Sequence, residues 1–346
     1  MKSANQIEER IASLHADRLI DLHFDLPLIL LLSRPRRNII SSDFLPQFEA
    51  GDIGLLGVAL YVEDQYLGEQ ALRVALEQVG LLKAELETTS HLVLCRTFAE
   101  IEQAQREGRI ALLLTMEGAE PLGDDLDLVR IFHELGLRAI SLTHARTNAA
   151  AAGGIFAASG SPASGLTSFG RELVQECERL GILVDLAHIN PAGFEEICAL
   201  TSKPLIVSHT NARHFYDIER NISDDQIRMI GARAGVIGIN AILVSAKKEE
   251  ATLDRYVDHI EHVANLIGID GVAIGFDFCE LLLGLLPAAE REELEAKLTK
   301  PHYLPDLGNH AHARNLTRKL IERGFSDEQI EKILRGNWLR VLQQML

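Results

Sequence analysis

The sequence predicts an α/β fold in which eight parallel strands and their helices form a single (β/α)8, or TIM, barrel. Apolar runs rich in Leu, Ile, Val and Ala recur about eight times, and segments with helical periodicity separate several of them. The runs are nearly continuous rather than alternating, as expected of parallel strands that are buried on both faces. No GxGxxG or Walker lysine motif follows any run, so a nucleotide-binding doubly wound sheet is disfavoured.

The elements follow in chain order, beginning with a short amphipathic helix over residues 4–16. Strands are predicted at residues 19–25, 55–62, 110–116, 138–143, 182–187, 204–208, 235–240 and 271–277. Helices are predicted at residues 125–135, 167–180, 223–233 and 253–267. Ser223 and Ser326 each precede a Gln by three residues, which is the spacing of a capping box and predicts that a helix starts at both places.

Two regions interrupt this alternation. Residues 146–165 are rich in Ala, Gly and Ser, and we expect an active-site loop there. Residues 281–312 combine apolar, charged and proline-containing segments, and they are expected to form either a lid over the site or a surface excursion without a role. The histidines of this second region, His302, His310 and His312, are expected to be exposed to solvent.

The composition is that of a globular protein with an acidic surface. Hydrophobic residues make up 47% of the 346 residues, and 34 basic against 50 acidic side chains give a formal net charge of −16. An acidic surface repels phosphate backbones and anionic lipids, so neither nucleic acid nor a membrane surface is an expected partner. The four cysteines form no CxxC pair and are expected to be reduced, and residues 1–18 lack the apolar segment of a signal peptide. A cytoplasmic location is therefore expected.

Four of the apolar runs carry, at or near their end, side chains that can bind a metal ion. The first run contains His23 and Asp25, two residues apart and so on one face of a strand, and later runs are followed by Glu117, His188 and His209. Each of these residues alone is more often a core or loop residue than a ligand, but the same pattern occurs four times. Imidazole and carboxylate ligands suit zinc, manganese or cobalt better than calcium. Because a barrel enzyme keeps its active site at the carboxyl ends of its strands, the pattern predicts a hydrolytic metal centre.

The same residues bear on the domain organisation and on the chemistry. A boundary between two domains would split the set, so residues 1–346 are interpreted as a single catalytic domain. If the residues before Glu117 hold one ion and the histidines after it hold another, the Glu117 carboxylate bridges both ions. Two divalent ions about 3.5–4 Å apart share a hydroxide, polarise a carbonyl oxygen and lower the pKa of bound water towards about 7. Amide or ester hydrolysis follows without a protein nucleophile.

Three further residues fit roles in such a reaction. His144 follows a strand and is suited to donate a hydrogen bond to an oxyanion, although its position fits a core histidine equally well. Asp277 ends the last strand and is suited to take a proton from water and pass it to a leaving amine. Arg220 is suited to bind a substrate carboxylate, and by itself it would be interpreted as a surface arginine. His259 and His262 lie on a predicted helix away from any strand end and are interpreted as structural.

The motifs that contain these residues resemble, in the same order, segments of the membrane dipeptidase (renal dipeptidase) family of zinc metallopeptidases. The segments are residues 21–27 (DLHFDLP), 116–118 (MEG), 141–144 (SLTH), 184–188 (VDLAH), 207–209 (VSH), 220–225 (RNISDD), 323–328 (RGFSDE) and 336–341 (GNWLRV). Each motif is modest alone, but the ordered set is specific and covers about residues 19–342.

The resemblance implies an amidohydrolase-like barrel that holds two Zn²⁺ ions and cleaves dipeptides, including dipeptides with a C-terminal D-residue. It implies a dipeptide as the small-molecule substrate, and a homodimer, because several family members form one. The implied ligands are His23, Asp25 and Glu117 for one ion, and Glu117, His188 and His209 for the other.

The resemblance also implies roles for the residues that touch substrate. It makes His144 the residue that polarises the scissile carbonyl, Arg220 the partner of the substrate's free carboxylate, and Asp277 the residue that transfers a proton or binds the amino group.

Two departures from the family pattern bear on specificity. Phe24 stands where the family commonly has Asn, and Cys279-Glu280 stand where it has Asp-Gly, and we expect both positions to border the substrate. They motivate an alternative, another metal-dependent hydrolase acting on a lactone, a cyclic amide or an N-acyl amino acid. A degenerate barrel that only binds a ligand is a third hypothesis, which the intact set of five ligands disfavours.

Overall fold

The computed structural model describes residues 4–154, 164–288, 291–292 and 302–346. Its strands form one sheet, in which every ladder is parallel. The strands are β1 (Leu19–Phe24), β2 (Ile53–Tyr61), β3 (Leu92–Leu94), β4 (Ile110–Glu117), β5 (Leu137–Ser141), β6 (Leu183–Asp185), β7 (Ile206–Thr210), β8 (Val236–Ile239) and β9 (Val272–Ile274). Eight of them follow the order β1-β2-β4-β5-β6-β7-β8-β9 and form a nearly closed barrel, which confirms the predicted (β/α)8 fold.

Helices follow or flank the strands in the described part of the chain. They are α1 (Ala4–Leu14), α2 (Leu26–Leu32), α3 (Leu45–Ala50), α4 (Gln70–Leu86), α5 (Phe98–Arg106), α6 (Asp127–Leu135), α7 (Ser168–Leu180), α8 (Pro191–Leu200), α9 (Asp224–Gly231), α10 (Leu253–Ile267), α11 (Glu280–Leu285), α12 (Ala313–Glu322), α13 (Asp327–Glu331) and α14 (Asn337–Met345). Both predicted capping boxes are present, at the starts of α9 and α13. Within the described ranges, no helix has the length and apolar content needed to span a membrane.

All eight predicted strands are present, and β3 was missed. This strand has three residues, of which two are half-buried, so it lacks the long apolar run that identifies the others. It pairs with Ile110 to Leu112 of β4, whereas β5 pairs with the later residues of β4 from Leu114 onward. β3 therefore extends the sheet beside the amino-terminal half of β4, at the end of the barrel opposite to the one where the strands finish.

The barrel interior is apolar at the amino-terminal end of the strands and polar at the other end. On β4, Ala111 and Leu113 belong to a buried cluster that includes Trp338 of α14. Trp338 is fully buried, and its indole N–H donates to the carbonyl oxygen of Ile274 at 2.8 Å. The next residues with the same orientation on β4 are Thr115 and Glu117, because side chains alternate along a strand. The polar end of the interior thus lies at the carboxyl ends of the strands.

The first and last strands are joined by a side chain. The carboxylate of Asp21, fully buried on β1, accepts the backbone N–H of Phe276 just after β9, at 2.9 Å. Its other oxygen lies 2.8 Å from Nε2 of His310, which is 1% exposed. The expectation that His310 is exposed was therefore wrong. The aromatic rings around the histidine are those of Phe24, Phe48, Phe276 and Phe278.

The two irregular regions are only partly described. Residues 155–163 of the expected active-site loop, and residues 289–290 and 293–301 of the expected lid, lie outside the described residues. After this gap, Leu304 and Leu307 are each 1% exposed and pack in the main core, so this end of the region is not a surface excursion. Whether the region closes over a substrate stays a prediction.

Candidate metal centre

The structure brings the five predicted ligands together at the carboxyl ends of the strands. Sets of three ligand atoms lie within 4.8 Å of one another in two predicted combinations, which share Glu117. The first combination is His23, Asp25 and Glu117, and the second is Glu117, His188 and His209. We call these five residues the ligand side of the centre. Their side chains are almost completely buried, with exposed fractions between 1% and 10%.

Glu117 lies at the middle of the ligand side. Its Oε1 is 3.0 Å from Nε2 of His188, 3.3 Å from Nε2 of His209 and 3.8 Å from Nε2 of His23. It reaches this position as the last residue of β4, where β4 pairs with both β2 and β5. Glu117 thus belongs to both sets of potential ligands, and its bridging of two ions stays a prediction.

His209 is held by a chain of hydrogen bonds. Its Nδ1 lies 2.7 Å from Oγ of Ser208, and the Ser208 hydroxyl in turn bonds to the buried carboxylate of Asp185. Asp185 also accepts the backbone N–H groups of Ser208 and Ala187, at 2.8 and 3.0 Å. A serine that donates to Asp185 accepts from Nδ1–H, so this chain fixes the tautomer and leaves the Nε2 lone pair free for a metal ion.

Two of the candidate site residues stand on left-handed backbone. His188 has φ 65° and Asp277 has φ 58°, a region that residues with a side chain seldom adopt. Both follow strands that end earlier than predicted, β6 at Asp185 and β9 at Ile274. The chain leaves the strand geometry there, and the turn places the side chains of His188 and Asp277 among the other candidate ligands. Sequence periodicity does not reveal such turns, which explains the overlong strand predictions.

Asp277 lies next to the predicted ligands. Its Oδ1 is 3.8 Å from Nε2 of His23, and it forms a third set of potential ligands with His23 and His209. Its Oδ2 accepts a hydrogen bond of 2.9 Å from the side-chain amide of Asn240, the residue after β8. Asn240 therefore orients the carboxylate and leaves Oδ1 directed toward the ligands.

Burial dominates the electrostatics of the centre. It raises the pKa of Asp25 to about 7 and, together with the charge of Asp25, the pKa of Asp277 to about 8. It also raises the pKa of Glu117 well above its usual range, with the two aspartates adding to the effect. For His23, burial and then the charge of Arg220 lower the pKa to about 3. Three buried carboxylates beside neutral imidazoles form a site that a divalent cation would stabilise.

Arg220 supplies a buried positive charge beside this cluster. Its side chain is 5% exposed, and one terminal nitrogen, Nη2, donates to the carbonyl oxygen of His209 at 2.8 Å. The other, Nη1, is buried and has no hydrogen-bond partner among the described residues. Arg220 is thus no surface arginine, and one edge of its guanidinium remains available to bind a carboxylate.

His144 lies beside the ligand side, next to the last residue of β2. Its ring centroid is 4.4 Å from that of His188 and 4.7 Å from that of Tyr61. Burial, followed by the charges of Arg146 and Arg220, lowers the pKa of His144 well below its usual range, so the imidazole is neutral. A neutral imidazole can donate one hydrogen bond to a carbonyl oxygen or an oxyanion.

Several residues of the centre were not predicted. Asp21 and Asp185 lie inside the quoted motifs, two and three residues before a proposed ligand, and that proximity was the available signal. Tyr61 is the last residue of β2, and Asn240 follows β8. These are the two barrel strands to which no site residue had been assigned. His259 is structural, as interpreted, because its Nδ1 accepts the N–H of Ala212 and its Nε2 contacts the carbonyl of Val244.

The residues fit a metal centre. Three Nε2 atoms converge on one carboxylate oxygen, and Oδ1 of Asp25 is buried without a hydrogen-bond partner in the described chain. This mixture of imidazole and carboxylate donors suits zinc. A parallel barrel with such a cluster at the carboxyl ends of its strands places the chain in the class of metal-dependent hydrolases.

Comparisons with known proteins identify the family within this class. The model of the membrane dipeptidase family (Peptidase family M19) matches residues 8–304, and the chain belongs to that family. Dipeptidase verJ of Clonostachys rogersoniana is 30% identical over 289 residues, covering 82% of this chain and 67% of its own. Dipeptidase tcpJ of Claviceps purpurea (strain 20.1) is 28% identical over 324 residues, covering 90% and 71%. The resemblance found in the motifs is therefore confirmed.

Solved structures agree with this assignment. A metallo peptidase from Rhodobacter sphaeroides, crystallised with a phosphinate mimic of the dipeptide L-Ala-D-Ala, superposes with a TM-score of 0.82 at 27% identity. The superposition covers 95% of this chain and 99% of the other. By family, then, the chain is a metal-dependent dipeptidase.

Proposed function

We propose that this chain hydrolyses the peptide bond of free dipeptides, including dipeptides with a C-terminal D-residue, and that the ligand side holds two zinc ions. The observation that carries the proposal is the combination of Glu117, central among three imidazoles, with an Arg220 whose Nη1 is buried and unpartnered. The Rhodobacter sphaeroides structure, with its mimic of L-Ala-D-Ala, supports the inclusion of D-residues.

The residues before and after Glu117 would each hold one ion, with Glu117 shared between them. Zinc bound there would polarise the scissile carbonyl and lower the pKa of a water molecule, so that a nucleophile exists at neutral pH. Ser208 and Asp185 hold His209 in the tautomer that binds metal.

The remaining residues act on the substrate. Arg220 binds the free carboxylate of the C-terminal residue through its unpartnered edge, which places the scissile bond one residue from the C-terminus of the substrate. His144 donates a hydrogen bond to the carbonyl oxygen as negative charge develops on it. Asp277, oriented by Asn240, accepts a proton from the attacking water and delivers it to the leaving amine.

A substrate panel tests the proposal. L,L- and L,D-dipeptides and their N-acetylated forms are incubated with zinc-reconstituted protein and with chelated protein. We expect zinc-dependent cleavage of the free dipeptides of both stereochemistries and none of the acetylated forms. Cleavage of acetylated substrates alone, or of no member of the panel, would contradict the proposal and favour hydrolysis of a lactone, a cyclic amide or an N-acyl amino acid.

The role of Arg220 has its own test. Because charge-assisted hydrogen bonds contribute about 1.5–3 kcal/mol, Arg220→Met should raise KM by about 10- to 100-fold with a smaller effect on kcat. Arg213→Met is the matched control, since Arg213 is half-exposed and contacts Asp217 and the carbonyl of Ile218. Equal KM values for the two variants would show that Arg220 does not bind the carboxylate.

A further inference from the structure

Tyr61 has no part in the reaction described above, yet it lies at the centre. It is the last residue of β2, directly opposite Glu117 in the β2–β4 ladder. Leu55, on the same side of β2, belongs to the buried cluster inside the barrel. Because side chains alternate along a strand, Tyr61 points into the barrel at the level of the ligands.

Hydrogen bonds fix both the backbone and the phenol oxygen of Tyr61. The side-chain amide of Gln78, fully buried on α4, donates to the carbonyl oxygen of Tyr61 at 2.5 Å, and its oxygen accepts the Tyr61 N–H at 3.4 Å. At the other end, Nη1 of Arg146 donates to the phenol oxygen at 3.0 Å. The ring therefore has little freedom to move relative to β4.

Arg146 forms hydrogen bonds to the loops that lie around His144. Besides Tyr61, its guanidinium donates to Glu120 at 2.9 Å and to Asp64 at 2.7 Å, and it also bonds to the carbonyl of Val62. These partners follow β2 and β4, whereas Arg146 itself follows β5. Two carboxylates balance the charge of this guanidinium. Its hydrogen bonds connect the segments that follow β2, β4 and β5, which are neighbours in the barrel.

His144 lacks comparable hydrogen bonds of its own. Its Nδ1 is buried and has no hydrogen-bond partner in the described part of the chain. The ring lies between Tyr61, at 4.7 Å with an angle of 60° between the planes, and His188, at 4.4 Å and 37°. Packing against these two rings, rather than hydrogen bonding, sets the orientation of the imidazole.

We infer that Tyr61 is a positioning residue, which holds the ring of His144 in the orientation that reaches the substrate carbonyl. The inference rests on the proposed function, since it assigns Tyr61 to act through His144. Tyr61 supplies a rigid aromatic edge, Gln78 and Arg146 hold that edge in place, and His188 supports the imidazole from the other side. Without the edge, the imidazole turns away from the carbonyl, and binding of the substrate by Arg220 is unaffected.

Substitutions at Tyr61 separate this role from a direct contact with substrate. Because misplacing a catalytic group lowers the rate of the chemical step, Tyr61→Leu should lower kcat by about tenfold or more and change KM by less than about threefold. Tyr61→Phe keeps the aromatic edge and should retain most of the wild-type activity. Tyr66→Leu, on the same β2–α4 connection, is the matched control and should keep wild-type kcat. A rise in KM with unchanged kcat in Tyr61→Leu would overturn the inference.

A double-mutant cycle provides the sharper test. If Tyr61 acts through His144, Tyr61→Leu should cause no further loss of kcat in a His144→Ala background. Additive losses would show that Tyr61 acts independently. Activity of the wild-type protein on dipeptides is measured first, so a failure of the proposed function is distinguished from a failure of this inference.

A crystal structure of zinc-loaded Tyr61→Leu gives an outcome that does not depend on activity. We expect the His144 ring to be displaced in this variant and to remain in place in Tyr66→Leu. A His144 ring that keeps its position without the Tyr61 side chain would overturn the inference.

Discussion

The ligand side and the neighbouring group formed by Tyr61, His144 and Arg146 are held by different interactions. On the ligand side, Ser208 Oγ accepts a buried hydrogen bond from Nδ1–H of His209, and the Asp21 carboxylate accepts the backbone N–H of His23. In the neighbouring group, ring packing fixes His144, and the hydrogen bonds are made by Arg146, which holds the phenol oxygen of Tyr61. The difference fits the tasks, because a metal ligand needs a fixed tautomer whereas an oxyanion donor needs a fixed direction.

The largest loss of activity is expected from substitution of Glu117, the residue proposed to bind both ions. Glu117→Gln removes the charge that is proposed to bridge the two ions, and it should lower turnover by at least about a thousandfold, with loss of bound zinc. Turnover and zinc content per chain are the measurements. His144→Ala is the comparison variant, which should lose turnover but keep its zinc. Normal zinc content in Glu117→Gln would mean that the carboxylate does not bridge.

A smaller effect should follow from breaking the hydrogen-bond chain behind His209. Ser208→Ala removes the partner of Nδ1 and should weaken zinc affinity by about 10- to 100-fold, as is usual for such supporting residues. Zinc affinity is measured by competition with a chelator. Ser245→Ala serves as the control, because Ser245 bonds to Glu250, far from the ligands in sequence. If both serine variants bind zinc equally well, the tautomer of His209 does not depend on Ser208.

Removing His310 tests the joint between the first and last strands. His310→Leu leaves one oxygen of the buried Asp21 without a partner, which should lower the free energy of unfolding by about 1–3 kcal/mol. Urea unfolding of the zinc-loaded protein measures this change. His312→Leu, at an exposed position two residues later, should be close to neutral. Equal stability of the two variants would argue that the Asp21–His310 contact contributes nothing.

The smallest effect concerns the pH dependence of the metal-free protein. The pKa values of Asp25 and Asp277 are raised to about 7 and 8, so above pH 6.5 the folded state binds more protons than the unfolded state. Stability should therefore fall by about 1–2 kcal/mol between pH 6.5 and 8. Below this window, the lowered pKa of His23 acts in the opposite direction.

Zinc should remove this decline, because bound metal requires ionised carboxylates. Unfolding of chelated and zinc-loaded protein at pH 6.5 and 8 gives the comparison, and Asp277→Asn should reduce the slope of the chelated protein. A chelated protein that becomes more stable over this range would show that the carboxylates are already ionised in the folded state.

The sequence predicted the barrel because buried parallel strands leave an unmistakable apolar pattern, and all eight barrel strands were found. It also predicted which side chains converge, because the carboxyl ends of such strands must meet at one end of the barrel. It did not predict β3, whose three residues lack that pattern, or the early ends of β6 and β9, where left-handed turns at His188 and Asp277 redirect the chain.

Long-range partners were the second kind of omission. The contact between Asp21 and His310 joins residues 289 positions apart, and nothing local to His310 distinguishes it from an exposed histidine. The same is true of Phe24, which was expected to border the substrate but is 3% exposed and packs against Phe44, Phe48 and His310. Sequence patterns report the burial of a strand, but they do not report which distant side chain completes its packing.

The Asp21 carboxylate connects three parts of the molecule: the first ligand, the end of the last strand and the segment that contains His310. It accepts the N–H of His23, it accepts the N–H that precedes Asp277, and it pairs with His310 beyond the last strand. Closure of the barrel and the position of two site residues therefore depend on the same buried carboxylate. A chain cut before residue 310 lacks the side chain that pairs with Asp21, so we expect such a truncation to disturb the closure of the barrel and the metal centre together.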